Sequence, residues 1–193
     1  LQFGTYLKRI FTQGDFGIVT TYGEYLNMNI WQVFVSHLPP TILINIYSTL
    51  IGVPIGLGLG ILAALKKNKW QDHVISTGVM IFISVPSYVY AFLVQYFLCF
   101  KLKLFPLVME AGTDYFSVQM FKSMFPAVLS LSLSSIAGYA RFTRAELTEV
   151  LTSEFMLLAR TKGLTKRQAI YRHAMRNSMV VIFPSILSEF VSV

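Results

Sequence analysis

Three long runs without a charged residue constrain the fold more than any other feature of the sequence. They cover residues 41–65, 74–100 and 123–140 and are 25, 27 and 18 residues long. A helix rises ~1.5 Å per residue, so the longer two can cross a ~30 Å hydrocarbon core with tilt, and the third is near the lower limit. A fourth apolar stretch, 178–193, ends with the sequence and is expected to be a partial span. The pattern predicts an all-α integral membrane protein, a polytopic helical bundle.

The composition excludes an ordinary soluble domain. Only 13% of the residues are charged, about half the fraction usual in soluble proteins. The net charge of +7 could indicate nucleic-acid binding. The charges lie between the apolar runs, however, which is the pattern that membrane topology produces. The single cysteine, Cys99, and three scattered histidines predict neither an internal disulfide nor a metal site.

Lysine and arginine are distributed unequally between the two sides of the predicted membrane. Eleven lie in segments 66–73 and 141–177, and five lie on the other side. This excess places both richer segments in the cytoplasm. Residues 1–30 are then an extracellular segment that follows a missing first helix. The chain starts without Met and stops inside an apolar stretch, so we expect it to be a fragment.

Small and polar residues mark particular faces of the predicted spans. Gly52, Gly56 and Gly60 share one helix face, which favours close packing of another helix. Leu and Ser alternate along residues 129–134, as in a strand, but the length of the neighbouring runs favours a helix. Its serine-rich face could pack on another helix or line a wet path; its serines are Ser130, Ser132, Ser134 and Ser135.

Proline and acidic residues inside the apolar stretches are few. Pro54 and Pro86 are expected to bend their helices, because proline removes a backbone donor. The three complete runs contain no acidic or basic residue, which argues against an ion-coupled transporter that works through this subunit alone. Glu189, in the partial fourth span, is the one candidate for a buried charge. It could face a pathway or lie near the helix end.

The basic segment 141–177 is expected to contain a short helix at about 153–162. Ser153 can cap this helix and Glu154 suits its first turn. Phe155, Leu158 and Ala159 follow at i, i+3 and i+4 and form an apolar stripe. Its last turn carries two cations, and the residue after it provides a left-handed end; these are Arg160, Lys162 and Gly163.

A second helix is predicted directly after the first. Thr165 and Gln168 match a capping box, and the helix continues into the fourth apolar stretch. Two interpretations of the segment are open. It could rest on anionic lipid headgroups, as in a non-transport membrane scaffold or channel subunit. It could instead dock its apolar stripe into a groove on a soluble partner.

Several motifs resemble the inner-membrane permease subunits of ATP-binding-cassette (ABC) importers, in the branch that takes up di- and oligopeptides, nickel and glutathione. ARTKGL at 159–164 and RHAMRN at 172–177 resemble the cytoplasmic loop of that branch. The family's general Glu-Ala-Ala-x-x-x-Gly motif is degenerate here, because Leu157 and Leu158 replace its Glu and first Ala. Weaker similarities are GDFG at 14–17, LPPTIL at 38–43 and SVPS at 84–87.

The resemblance implies a type I importer transmembrane domain over residues 31–193, lacking the first and last helices. It also implies a bacterial inner-membrane location and three kinds of partner: a second permease subunit, two ATPase subunits and an extracellular solute-binding protein. The helix near 153–162 would be the coupling helix for the ATPases. ATP and Mg would be bound by those partners, with no cofactor on this subunit. The sequence contains no phosphate-binding GxxxxGK[ST] pattern, which agrees with a non-catalytic subunit.

Overall fold

The computed structural model describes residues 2–21, 23–109 and 114–191, and of residues 2, 160 and 191 only the backbone. The described part is helical apart from turns and one isolated bridge between Ile18 and Asn29. Its helices are α1 (Gln2–Gln13), α2 (Ile30–Leu65), α3 (Trp70–Ser84), α4 (Ser87–Val94), α5 (Val118–Thr152), α6 (Glu154–Thr161), α7 (Lys166–Ala169) and α8 (Met175–Val191). Two π-helical stretches, Gln95–Lys101 and Ile170–Ala174, continue α4 and α7, and a 3₁₀ turn covers Gly23–Tyr25.

The chain divides into two compact units, residues 1–43 and 44–193. In the first unit, the GDFG sequence forms a tight turn after α1. The Asp15 carboxylate accepts a hydrogen bond from the Gly17 amide at 2.9 Å. Gly17 has a φ of 83°, in the left-handed region that glycine adopts without strain. Beside this turn, the rings of Phe16 and Trp31 stack with centroids 5.2 Å apart.

Helix α5 is the central element of the second unit. Ser117 begins it, because the Ser117 hydroxyl accepts a hydrogen bond from the Met120 amide at 3.1 Å. The helix packs against α3, α4, α6 and α8. It includes the alternating Leu and Ser residues, so the prediction of a helix there is confirmed. Its buried side chains include the fully enclosed Val128 and Leu147.

Within the described residues, two helices, α2 and α5, are long and apolar enough to cross a membrane. Both extend beyond the uncharged runs that predicted them. The second run forms two helices, α3 and α4 with its π-helical continuation, and their axes meet at a bend of 99°. If this bent pair crosses the membrane as one span, it adds a third crossing. The bend follows from Pro86, because proline disfavours the helical conformation of the residue before it, and Val85 is extended.

The fourth predicted stretch corresponds to α8, which has 17 residues in the described part. The final two residues of the predicted partial span, 192 and 193, lie outside that part. Helix α8 also starts before the apolar stretch, at Met175. It packs beside α5, which gives the second unit a third long helix around the sites described next.

Candidate functional site

The predicted coupling segment forms a separate short helix. Helix α5 ends at Thr152, and α6 covers Glu154–Thr161, close to the predicted bounds of 153–162. Ser153 has an extended backbone between the two helices. Its hydroxyl donates a hydrogen bond to the Val150 carbonyl at 2.7 Å, so the side chain is bonded to the end of α5. The sequence predicted that the Ser153 hydroxyl would cap the start of α6. In the structure it bonds to α5 instead.

The inner face of α6 is packed against the rest of the second unit. Met156 and Ala159, one turn apart, are 5% and 6% exposed. They belong to an apolar cluster with residues of α2, α5 and the segment after Gly163; its other buried members are Ala64, Leu147, Ala169 and Ala174. The predicted stripe of Phe155, Leu158 and Ala159 is therefore divided, because Ala159 lies on the supporting face.

The outer face of α6 exposes large apolar side chains. Leu157 is 60% exposed, Leu158 is 55% exposed and Phe155 is 37% exposed. The Phe155 ring also meets His173 edge to face, with centroids 5.6 Å apart. The charged Glu154 and Lys162 are exposed at the two ends of the helix, and the Arg160 side chain lies outside the described part. This exposed apolar face is a candidate docking surface for a protein partner or for lipid headgroups.

The turn after α6 has the predicted conformation. Gly163 has a φ of 85°, so the predicted left-handed conformation at the end of the helix is confirmed. The Leu164 amide donates a hydrogen bond back to the Ala159 carbonyl at 3.4 Å. The predicted capping box at Thr165 is also confirmed, since Gln168 and Thr165 each bond to the other's backbone amide. These contacts fix the direction in which the chain leaves α6.

The three predicted packing glycines of α2 all meet α5. A Cβ atom at Gly52 would lie 2.6 Å from the Ser135 Cβ. At Gly56 it would lie 2.7 Å from the Tyr139 Cβ, and at Gly60 2.6 Å from the Thr143 Cβ. Real Cβ atoms essentially never approach so closely, so the two helix backbones can adopt this distance only because these side chains are absent.

The serines of α5 divide into a buried set and a groove-lining set. Ser130 and Ser132 are 3% and 0% exposed, and their hydroxyls bond to the carbonyls of Pro126 and Leu129 within the same helix. Ser134 and Ser135 line an open groove of about 670 Å³. Of the four predicted candidates for lining a path, these two therefore face this groove.

The groove is bordered by α2, α5 and α8. Its polar lining residues include Asn45, Ser48, Thr49, Ser134, Ser188 and Glu189. The Glu189 carboxylate accepts a hydrogen bond from the Ser135 hydroxyl at 2.8 Å. One turn away, the Tyr139 hydroxyl donates to the Ser185 carbonyl at 3.2 Å. The two bonds hold α8 antiparallel to α5, and they place an acidic group beside the middle of a predicted span.

An ion pair that the sequence analysis missed connects α3 to α5. The Arg144 Nε and Nη2 atoms donate to the two carboxylate oxygens of Asp72 at 2.5 and 2.9 Å. Asp72 is 1% exposed. Its carboxylate also accepts hydrogen bonds from the Asn68 amide at 2.9 Å and the Ser76 hydroxyl at 3.2 Å. The sequence did contain a signal for this pair. Asp72 lies just before the predicted span 74–100 and Arg144 just after the span 123–140, so both belong at the cytoplasmic ends of their spans.

Comparison with known proteins identifies the family. The model of the family of binding-protein-dependent transport system inner membrane components matches residues 56–193. This range includes the packing glycines Gly56 and Gly60, the α5 and α8 sides of the groove, and the whole of α6. The chain belongs to this family. This membership confirms the resemblance expected from the loop motifs, and it makes the chain a multi-pass component of a bacterial inner membrane rather than a catalytic subunit.

The curated relatives of this inner membrane component are permeases of peptide and glutathione transport systems. The chain is 32% identical over 179 residues to the dipeptide transport system permease protein DppB of Lactococcus lactis, covering 93% of the chain and 55% of the relative. It is 31% identical over 192 residues to the oligopeptide transport system permease protein OppB of Salmonella typhimurium, covering 100% of the chain and 60% of the relative.

A third relative is the glutathione transport system permease protein GsiC of Shigella boydii, 30% identical over 189 residues, with 98% of the chain and 58% of the relative covered. The chain thus spans between 55% and 60% of the length of these three relatives. Dipeptide, oligopeptide and glutathione permeases are about equally similar to it, so the identities favour no one of these substrates.

Proposed function

We propose that the chain is part of a permease subunit of an ATP-driven ABC importer, and that it helps to form a translocation path for oligopeptides or dipeptides. Its family membership and its similarity to dipeptide and oligopeptide permeases support this proposal. Glutathione, the substrate of GsiC, and nickel remain alternatives within the same class. The partners are a second homologous permease subunit, two ATPase subunits and an extracellular solute-binding protein.

The observation that carries the coupling role is the two-faced packing of α6. Its inner face is anchored by Met156 and Ala159 in an apolar cluster. Its outer face exposes Leu157 and Leu158 in the basic segment that the charge distribution places in the cytoplasm, where exposed apolar surface favours a binding partner. A helix that is firmly supported and apolar on its outside is suited to receive a partner and to transmit its movement. ATP and Mg bind to the ATPase partners, and this subunit binds no cofactor.

The proposal is tested in the complete transporter, with the full-length subunit and its partners. Replacing Leu158 by Asp places a charge in the docking surface while leaving the buried face of α6 unchanged. We expect the ATPase subunits to be lost on purification in detergent and ATP-driven uptake to fall at least tenfold. Phe116→Asp is the matched control, because Phe116 is 83% exposed and lies just before α5, at the end opposite α6.

Retention of the ATPases and of uptake in Leu158→Asp would overturn the coupling role of α6. The rival function is a lipid-binding scaffold. It would be favoured if the wild-type protein brought down no ATPase and its binding to vesicles rose with their anionic lipid content.

A further inference from the structure

The groove between α2, α5 and α8 is assembled from three polar helix faces. Helix α2 contributes Asn45, Ser48 and Thr49, at i, i+3 and i+4. Helix α8 contributes Ser185, Ser188 and Glu189 at the same spacing. These spacings place each set on one side of its helix, and both sets are directed to the same space.

Helix α5 supplies the third polar face. Ser134, Ser135 and Gly138 lie at i, i+1 and i+4 and line the groove, together with Tyr139 and the apolar Leu131 and Phe142. Much of the remaining surface of these helices carries large exposed apolar side chains, such as Leu50, Val180 and Phe183. Polar faces on otherwise apolar helices are costly in a bilayer, unless they meet each other or face a wet cavity.

Glu189 of α8 lies beside the middle of α5, at the level of a predicted membrane span. Its hydrogen-bond donor, Ser135, is at the centre of the 35-residue α5 and inside the uncharged run 123–140. A carboxylate at this depth is expensive to bury and is retained mainly where it serves transport or binding. Among the described residues that line the groove, Glu189 carries the only charge.

We propose that this groove belongs to the translocation path and receives the primary ammonium group of a transported peptide, with Glu189 providing the opposite charge. An ammonium group has three donors and no acceptor. The groove offers it the Glu189 carboxylate together with the oxygen atoms of Asn45 and the serines. Every peptide with a free amino end carries this group, so recognition here is independent of side-chain sequence. The inference rests on the proposed function and specifies which end of the substrate the groove binds.

A labelling experiment tests the charge preference of the groove without any transport. Ser188→Cys is introduced in a Cys99→Ala background, and the complete complex is treated with a cationic or an anionic methanethiosulfonate reagent. We expect the cationic reagent to react faster by about tenfold, because a carboxylate attracts it in a site of reduced dielectric constant. Adding Glu189→Gln should bring the two rates together. Equal rates in the presence of Glu189 would overturn the proposal. So would a cysteine that neither reagent reaches, because another protein segment would then fill the groove.

An uptake experiment separates a charge role from a structural one. Glu189→Gln keeps the side-chain shape and an oxygen acceptor for the Ser135 hydroxyl, so a purely structural Glu189 predicts nearly normal uptake. We expect instead that Glu189→Gln lowers uptake of a peptide without Lys or Arg at least tenfold. Glu189→Asp should recover much of it. The matched control Glu149→Gln, which removes an exposed carboxylate outside the groove, should transport normally.

Normal uptake by Glu189→Gln would overturn the inference while leaving the proposed function intact. Loss of uptake without any cation preference in labelling would overturn it as well, since the charge would then act elsewhere. A wild-type complex that imports no peptide would instead overturn the proposed function, and with it the assignment of a peptide ammonium. The labelling result would still report whether the groove selects cations.

Discussion

The Asp72 carboxylate and the Arg144 guanidinium form a two-pronged ion pair that joins the first turn of α3 to α5. The pair is unequal in its exposure, because the Asp72 side chain is 2% exposed and the Arg144 side chain 33%. Removal of one partner therefore has different consequences on the two sides. Without Arg144, a carboxylate remains enclosed with only the Asn68 amide and the Ser76 hydroxyl as donors.

Arg144→Ala is thus predicted to destabilise the protein more than Asp72→Ala. Leaving a buried charge unpaired costs up to about 3–5 kcal/mol. The Arg144 side chain, freed by Asp72→Ala, can reach water, so that loss should be smaller. The melting temperature of the purified complex in detergent measures both. Equal melting temperatures for the two variants would contradict the predicted difference in their effects. Glu149→Ala is the control, because Glu149 is exposed on α5, the helix that carries Arg144.

Gly56→Ala is predicted to disrupt the contact between α2 and α5. The new Cβ would meet the Tyr139 Cβ at 2.7 Å and the Ile136 carbonyl at 2.9 Å, and such overpacking typically costs ~1–3 kcal/mol. Gly58→Ala is the matched control, since nothing lies within 4 Å of its added Cβ. It should be neutral or slightly stabilising. The melting temperature of Gly56→Ala should therefore be lower than that of Gly58→Ala. A similar decrease in both variants would count against close packing at Gly56.

Gly163→Val is predicted to strain the turn that follows α6. The space around Gly163 is open, so the effect comes from the backbone, where a φ of 85° disfavours a β-branched residue by ~1–2 kcal/mol. Gly163→Asn should be tolerated better, because asparagine adopts this region more readily. ATP-driven uptake and association of the ATPase subunits are the measurements. If valine and asparagine gave the same result, backbone conformation would not be the property that matters there.

Met156 and Leu157 are neighbours on α6 with opposite environments, and their alanine variants should separate support from docking. Met156→Ala removes a buried side chain and is predicted to cost ~2–5 kcal/mol locally, seen as faster amide hydrogen exchange in α6. Leu157→Ala removes a 60% exposed side chain and should leave exchange unchanged. On the coupling role proposed for α6, it should nevertheless weaken binding of the ATPase subunits. The reverse pattern would mean that the inner and outer faces of α6 have been exchanged.

The membrane class, the glycine packing face and the turn at Gly163 could all be predicted from local sequence. Each depends on a property that neighbouring residues determine by themselves, such as an uncharged run, a spacing of four, or a glycine after two cations. The capping box at Thr165 belongs to the same group, because its donor and acceptor are three residues apart. Such features are readable because no distant part of the chain is required to form them.

Features formed by distant parts of the chain were harder to predict. The face of α6 on which Ala159 lies depends on Ala64 and Leu147, which reach it from other helices. Prediction of the groove would have required the knowledge that α2 and α8 both border α5, although each polar face was visible in the sequence. The partner of Asp72 was similarly ambiguous, since Arg144 had to be chosen among several nearby cations. The extent of the bend at Pro86 depends on how α3 and α4 pack against α5, which the proline alone does not specify.

The length of α5 determines how movement at its α6 end relates to movement at the groove. Ser135 in the groove and Thr152 beside α6 belong to the same helix, and the stretch between them contains no proline, whereas Pro126 lies beyond Ser135. At ~1.5 Å per residue the separation is roughly 25 Å, spanned by a single stiff rod. A displacement of the Thr152 end of α5 would therefore reach the Ser135 region without crossing a break in the helix, so the two regions should move as one concerted step.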